Sequence, residues 1–292
     1  FSDIQTFWKE PYNGLYIPLT YTVWSIEAKS YKLLTKNTSL SPHIFHITNL
    51  IVHILTVLLV FGILIKVSKN HFAAFCGALF FALHPVQVES VAWISELKGV
   101  LAGFFSMLTL LLYINHISNQ QEDQRYTLKS IWYLGAVLAS LLALLSKPSA
   151  IVTPLLAGVF SLFIYNRSWK RTARDILPWL MVIIPIMVYT ANSQSDLWID
   201  FIPPMFSRLL IAGDAISFYL YKLFVPIALC IDYGRFPQAV LRSNWIWLTG
   251  TIPYVAMLGV FLAGLKYDKI KPVAGSFWIF LATFSFTSGM AL

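Results

Sequence analysis

Acidic residues are scarce in this chain: 13 among 292, against 21 lysines and arginines. Charge of both signs together reaches only 12%, where soluble domains carry roughly 25%. With 58% of the residues apolar, water cannot solvate the surface that such a chain would expose, so an ordinary soluble domain is excluded. Cysteine is scarcer still. Cys76 and Cys230 stand alone in apolar stretches; they make no disulfide framework and read as small core residues. No CxxC pair, HExxH helix or glycine-rich phosphate loop occurs, which removes the nucleotide-hydrolysing classes.

Long apolar runs are plentiful instead. A spanning helix needs about 20 mostly apolar residues, and backbone amides in hydrocarbon must be paired within their own segment. The runs are too long and too unalternating for barrel strands. The expected fold class is all-α, a polytopic helical membrane bundle. About eight spans are predicted from run length, at 44–67, 72–83, 100–117, 131–145, 151–165, 176–191, 245–265 and 273–291. The short run 72–83 is expected to continue through His84 into the interface. The chain opens on Phe1 and stops inside an apolar run at Leu292, so residues 1–292 read as one membrane domain cut from a longer protein.

The formal charge of +8 does not point to nucleic acid, because the basic residues gather in short loops. Lys66 and Lys69 follow the first span, Arg167, Lys170, Arg171 and Arg174 the fifth, and Lys266, Lys269 and Lys271 the seventh. With alternating spans all three groups lie on one side, which is then cytoplasmic. The turns 84–99 and 146–149, the stretch 192–244 and the first 40 residues face outward. Residues 208–230 are apolar enough to span, but counting them would reverse the 266–271 loop, and they carry Arg208, Asp214 and Lys222. An in-plane or re-entrant helix is expected there. Residues 1–40 read as an outer interfacial segment whose Phe7, Trp8, Tyr12, Tyr16, Tyr21 and Trp24 suit the headgroup level. Asp3 would cap a short helix after it.

Polar groups therefore gather on the outer face. In "FALHPVQVESVAWISELKG", Pro85 suits a helix start and Glu89 the first turn. Glu89, Trp93 and Glu96 then share one face of a short interfacial helix. Glu89 beside His84 makes a carboxylate–imidazole neighbourhood able to serve as base and orienter. Plain solvation at the membrane boundary is the simpler reading, and the stronger one for Glu96. In "LLSKPSAIVTP", Lys147 either snorkels to the headgroups or contacts a phosphate as a point charge. In "LCIDYGRFP", Asp232 and Arg235 flank Tyr233 and could form a local ion pair. His46, Asn49 and His53 form a stripe on the first span; lacking a third ligand, it reads as helix-packing hydrogen bonds rather than a metal site.

These residues resemble a family. "HPVQVESVAWISELKG" is similar to the "HPxHxExVAWxxxRKD" signature of bacterial multispanning proteins that often carry tetratricopeptide repeats, themselves similar to the eukaryotic transmembrane O-mannosyltransferases that act on cadherins. "YIPLTYTVWSIE", "HIFHITNLIVHILTVLLVFGIL", "SKPSAIVTP" and "YKLFVPIALCIDYG" resemble further elements of that family in the same order. Both groups resemble the C-type glycosyltransferase superfamily. The resemblance implies a polyprenyl-phosphate sugar donor, most plausibly carrying mannose, an acceptor hydroxyl on protein or glycan, and an inverting displacement at the outer face of a bacterial-type plasma membrane. It leaves open whether a divalent metal assists. Carried over residue by residue, it matches His84, Glu89, Lys98, Lys147 and Asp232, with Glu27 at the acidic position after the "PLT" element as a secondary candidate. The family's Asp-Asp pair, the usual base, would lie just before Phe1. Within this chain Glu89 with His84 is the expected catalytic carboxylate and its orienter. Lys98 and Lys147, with Arg208, are then the expected donor-phosphate cations, and Asp232 with Tyr233 and Arg235 a further outer-face group. The chain departs from the pattern at Ile17, and at Leu97 and Gly99, where the family has Arg and Asp. Losing that Arg removes a planar multi-donor phosphate ligand. The rival functions are a lipid-linked sugar polymerase or ligase and a non-enzymatic transporter or flippase. The latter would place polar groups at the bilayer midplane.

Overall fold

The computed structural model describes residues 4–12, 14–36, 39–123, 130–193, 203–230 and 232–266. Among them every regular element is helical, apart from one isolated bridge between Tyr12 and Leu15. The chain divides into two compact units, residues 1–154 with 174–195 and residues 155–173 with 196–292. Asp3, Lys269, Lys271 and the expected span 273–291 lie outside the described residues.

The first unit opens with α1 (Ile4–Lys9) and α2 (Pro18–Thr35). Pro18 starts α2 where a missing N–H costs nothing. Lys36 ends it in a left-handed turn, its N–H on the Lys32 carbonyl. Phe7, Tyr12 and Tyr21 pack as a ring cluster between the two helices. α3 (Pro42–Ser68) starts at Ser41, whose side chain accepts from the His43 N–H. α4 (His71–Leu83) starts at Asn70, whose Oδ1 accepts from the Ala73 N–H at 3.0 Å. Lys69, at φ 53°, turns the chain between them. α4 packs on one side only. Phe72, Phe75, Leu79 and Phe80 stay exposed, and so does Cys76. Cys230 is exposed as well, so neither thiol is the core residue expected.

α5 (Gln87–Ala92), a 3-10 turn (Ile94–Glu96) and α6 (Leu97–Asp123) follow. α7 (Ile131–Ser146) runs antiparallel to α6: Ala102 packs with Ala143, and the Thr109 hydroxyl donates to the Ala136 carbonyl. α7 stops at Lys147 because a following proline disfavours helical backbone, and Lys147 is extended at φ −153° and ψ 126°. The next stretch changes pitch twice, from a 3-10 turn (Pro148–Val152) to α8 (Thr153–Val159) to a π-helical turn (Phe160–Ile164). α9 (Trp169–Ser193) contributes residues 174–193 to the first unit. There Asp175 accepts from the Tyr113 hydroxyl at 3.1 Å, and its carbonyl accepts from the Tyr133 hydroxyl at 2.6 Å. His116 stands 4.0 Å from the same carboxylate, and both side chains are fully buried.

The second unit packs α10 (Met205–Phe224) against α12 (Ile246–Lys266), with the short α11 (Pro237–Leu241) between them in sequence. A Cβ at Gly213 would overlap the Gly250 carbonyl oxygen, so glycine is what lets these two helices approach.

Three helices among the described residues are long and apolar enough to cross a membrane: Pro42–Ser68, Ile94–Gln120 and Trp169–Thr190. His71–Leu83, Ile131–Ser146, Pro148–Ile164 and Ile246–Val260 are shorter apolar stretches. The described residues therefore do not carry the expected count of about eight. α4 also ends at Leu83, with His84 extended at ψ 128°, rather than continuing through it.

Candidate functional site

The turn between α4 and α6 is built by hydrogen bonds from α3. Asn49, fully buried, donates through Nδ2 to the carbonyls of Val91 at 3.3 Å and Trp93 at 3.0 Å. His53 meets the Ala82 carbonyl through Nε2 at 3.3 Å. This is the packing role expected of the stripe; His46, its third member, is exposed. Asn49 acts where the expected helix breaks. α5 ends at Ala92, Trp93 is extended at ψ 116°, and a 3-10 turn carries the chain into α6. Glu89 and Glu96 therefore do not share one helical face. Glu89 is exposed in the first turn of α5, while Glu96 turns inward, its side chain 14% exposed. His84, 8% exposed, accepts the Val86 N–H on Nδ1 at 3.2 Å and so shapes the start of the turn.

The structure brings Lys147 to this turn. Its Nζ lies 3.3 Å from Glu96 Oε2, and Lys98 Nζ lies 3.5 Å from Glu96 Oε1. One carboxylate thus bridges a lysine on α6 and one just past the end of α7. Gly99 makes the room. A Cβ there would stand 2.7 Å from Glu96 Oε2 and 3.5 Å from Lys147 Nζ. α2 is tied to the same end of the unit, because the Thr20 hydroxyl donates to the Ser146 carbonyl at 3.0 Å.

Glu27 lies two helical turns beyond Thr20, about 10 Å along α2. It is 8% exposed, and neither carboxylate oxygen has a hydrogen-bond partner. Burial pushes its carboxyl above the usual carboxylate range, partly offset by the nearby Thr48 hydroxyl. That hydroxyl is already given to the Ile44 carbonyl at 3.2 Å.

The remaining predicted residues belong to the second unit. Arg208 donates through Nε to the Pro203 carbonyl at 3.1 Å. Arg235 does not pair with Asp232 as the sequence suggested. It pairs with Asp214 on α10, which also accepts from the Thr249 hydroxyl at 2.6 Å. The Asp232 side chain accepts the Gly234 N–H at 2.7 Å and closes a local turn. The Tyr233 ring stacks edge-on to Phe218 at 4.8 Å. Lys222 holds the loop by donating to the carbonyls of Ile227 at 2.6 Å and Ala228 at 3.2 Å.

Two roles escape a reading of the sequence alone. Glu96 looks like a solvated boundary charge until Lys147 is placed beside it, and Gly99 looks like a missing acid rather than a space. Asp175 and His116 were likewise invisible; their only sequence signal was ionisable residues inside or at the end of apolar runs. Among the described residues no three His, Cys, Asp or Glu side chains gather as a metal-ligand set.

The chain is similar to proteins named as protein O-mannosyl-transferases. It is 25% identical to TMTC2 of Homo sapiens over 272 residues, which covers 82% of this chain and 31% of that protein. It is 29% identical to TMTC2 of Mus musculus over 273 residues, 83% of this chain and 32% of that one. It is 26% identical to F38B6.6 of Caenorhabditis elegans over 260 residues, 86% and 34% respectively. The chain thus spans about a third of the length of these curated relatives. No family model and no solved structure matches it.

Proposed function

We propose that this chain is the membrane domain of a glycosyltransferase that moves mannose from a polyprenyl-phosphate carrier to a hydroxyl group on protein, at the extracytoplasmic face. The observation that carries this reading is the meeting of Lys98 and Lys147 around Glu96, on a turn whose Glu89 is exposed. The similarity to protein O-mannosyl-transferases supports mannose as the sugar and protein as the acceptor. An orientation with the turns 84–99 and 146–149 outward belongs to the same reading.

In this mechanism the acceptor oxygen attacks the anomeric carbon while the bond to the carrier phosphate breaks, and the configuration inverts. The acceptor proton passes to a carboxylate, with Glu89 as the accessible base. His84 orients the turn that carries it. The Lys98 and Lys147 ammonium groups stabilise the negative charge that grows on the departing phosphate. Glu27 serves as a second, buried carboxyl at the same end of the first unit. Arg208 and the Asp232–Tyr233–Arg235 loop, in the second unit, are read as outward-facing polar groups of the same domain.

The reading is tested by mannose transfer from polyprenyl-phosphate mannose, using the intact protein in membranes. Lys147→Ala should lower kcat/KM by about 100-fold or more, the order lost when one charge-stabilising group is removed. Full activity in a Glu89→Gln, Lys147→Ala double variant would overturn the assignment.

A further inference from the structure

We propose that Glu96 is a positioning residue: seated in the space that Gly99 leaves, it holds the Lys98 and Lys147 ammonium groups as a two-cation cradle for a phosphate. This rests on the donor-phosphate role given above to the two lysines and assigns the residues that arrange them. Two ammonium groups from separate segments of the chain repel one another and do not converge without a counter-ion. Here each meets a different oxygen of the same carboxylate, at 3.5 and 3.3 Å. The order of exposure places the carboxylate behind and the cations in front: 14% for Glu96, 28% for Lys98 and 36% for Lys147. Two ammonium charges and one carboxylate leave one positive charge uncompensated, which suits an anionic phosphate group. Gly99 leaves room for it: a side chain there would begin 2.7 Å from Glu96 Oε2, so the carboxylate end would have to shift. The same contact makes position 99 a second place from which a carboxylate could reach the lysines, one helical turn along the same face.

The test is equilibrium binding of radiolabelled farnesyl phosphate to the intact protein in phosphatidylcholine nanodiscs, with farnesol and phosphatidic acid as competitors. Glu96→Gln should weaken binding by about tenfold, the order set by one charge-assisted hydrogen bond. Gly99→Ala should weaken it similarly. Adding Gly99→Asp to Glu96→Gln should restore most of the affinity, a recovery that a merely structural role for Glu96 would not produce. Tighter binding in Glu96→Gln would mean that the carboxylate plugs the site, and would overturn the proposal. Unchanged binding in Glu96→Gln would also overturn it, while leaving the donor-phosphate reading intact. Displacement of the label by phosphatidic acid at lower concentration than by unlabelled farnesyl phosphate would keep the positioning role and reassign the cradle to a phospholipid headgroup, against the proposed function. No binding of farnesyl phosphate to the unaltered protein would overturn both.

Discussion

Glu27 shows how one side chain can set a pH dependence. Its carboxyl is buried without a hydrogen-bond partner, and burial raises its affinity for a proton above that of the unfolded chain. The folded state therefore binds more protons than the unfolded state, and stability falls as pH climbs from about the unperturbed value of 4.5 through the raised one. Above that window the penalty is complete. Glu27→Gln removes the ionisation while keeping the shape. The variant should be more stable than the parent at pH 7.5, by about 1 kcal/mol, with the gap closing as pH falls toward the unperturbed value. Thermal unfolding of both proteins in detergent across that range is the measurement; a gap that widens toward acid would sink the account. At this scale the sequence is informative about charge and silent about pairing. Lys98 and Lys147 stand out because ammonium groups are rare in so apolar a chain. Glu96 does not, because its partner lies 51 positions away.

Elements are where local and distant causes compete. The i, i+4, i+7 spacing of Glu89, Trp93 and Glu96 describes one face of a single helix. Asn49 overrides that by offering an amide to the carbonyls of Val91 and Trp93, groups a continuous helix would have used internally. Asn49→Leu leaves both carbonyls without that donor, at a cost of about 1–3 kcal/mol. Amide exchange across residues 87–96 should then quicken by an order of magnitude or more, and mannose transfer should fall although Asn49 is not among the residues assigned to the phosphate or the base. Unchanged exchange in that segment would remove Asn49 from the account. The α10–α12 contact makes a sharper case. Gly213→Ala sets a methyl group on the Gly250 carbonyl oxygen, and helices packed through backbone cannot yield by rotating a side chain. A loss of about 2 kcal/mol or more follows from overpacking of this kind. It should appear as a lowered unfolding temperature, and Gly259→Ala, with open space around its Cβ position, serves as the silent control. Neither glycine announces this in the sequence, because the neighbour it must admit is fixed only once the helices have packed.

For the molecule as a whole, composition settles the class and stops there. Scarce charge and long apolar runs require helices, but apolarity does not separate a helix that crosses a bilayer from a shorter one packed beside it. That is why three described helices reach spanning length where about eight spans were expected from the runs. Orientation is more tractable, because the Glu96–Lys147 pair adds a constraint that loop charges do not supply. It places the turns 84–99 and 146–149 at one end of the α6–α7 pair. From there α6 runs 27 residues, about 40 Å, which exceeds the hydrocarbon thickness. The loop charges assign the basic loop around Arg167 and Lys170 to the cytoplasmic side and the turn 84–99 to the outside. Exposed positions on each side test this. With Cys76 and Cys230 replaced by serine, the Ser95→Cys protein should react with a membrane-impermeant maleimide in intact cells. The Ser168→Cys protein should react only after permeabilisation. Reaction of both from outside would mean that 148–164 turns back instead of crossing. Reaction of Ser95→Cys only after permeabilisation would move the phosphate cradle to the cytoplasmic face and remove the extracytoplasmic reaction with it.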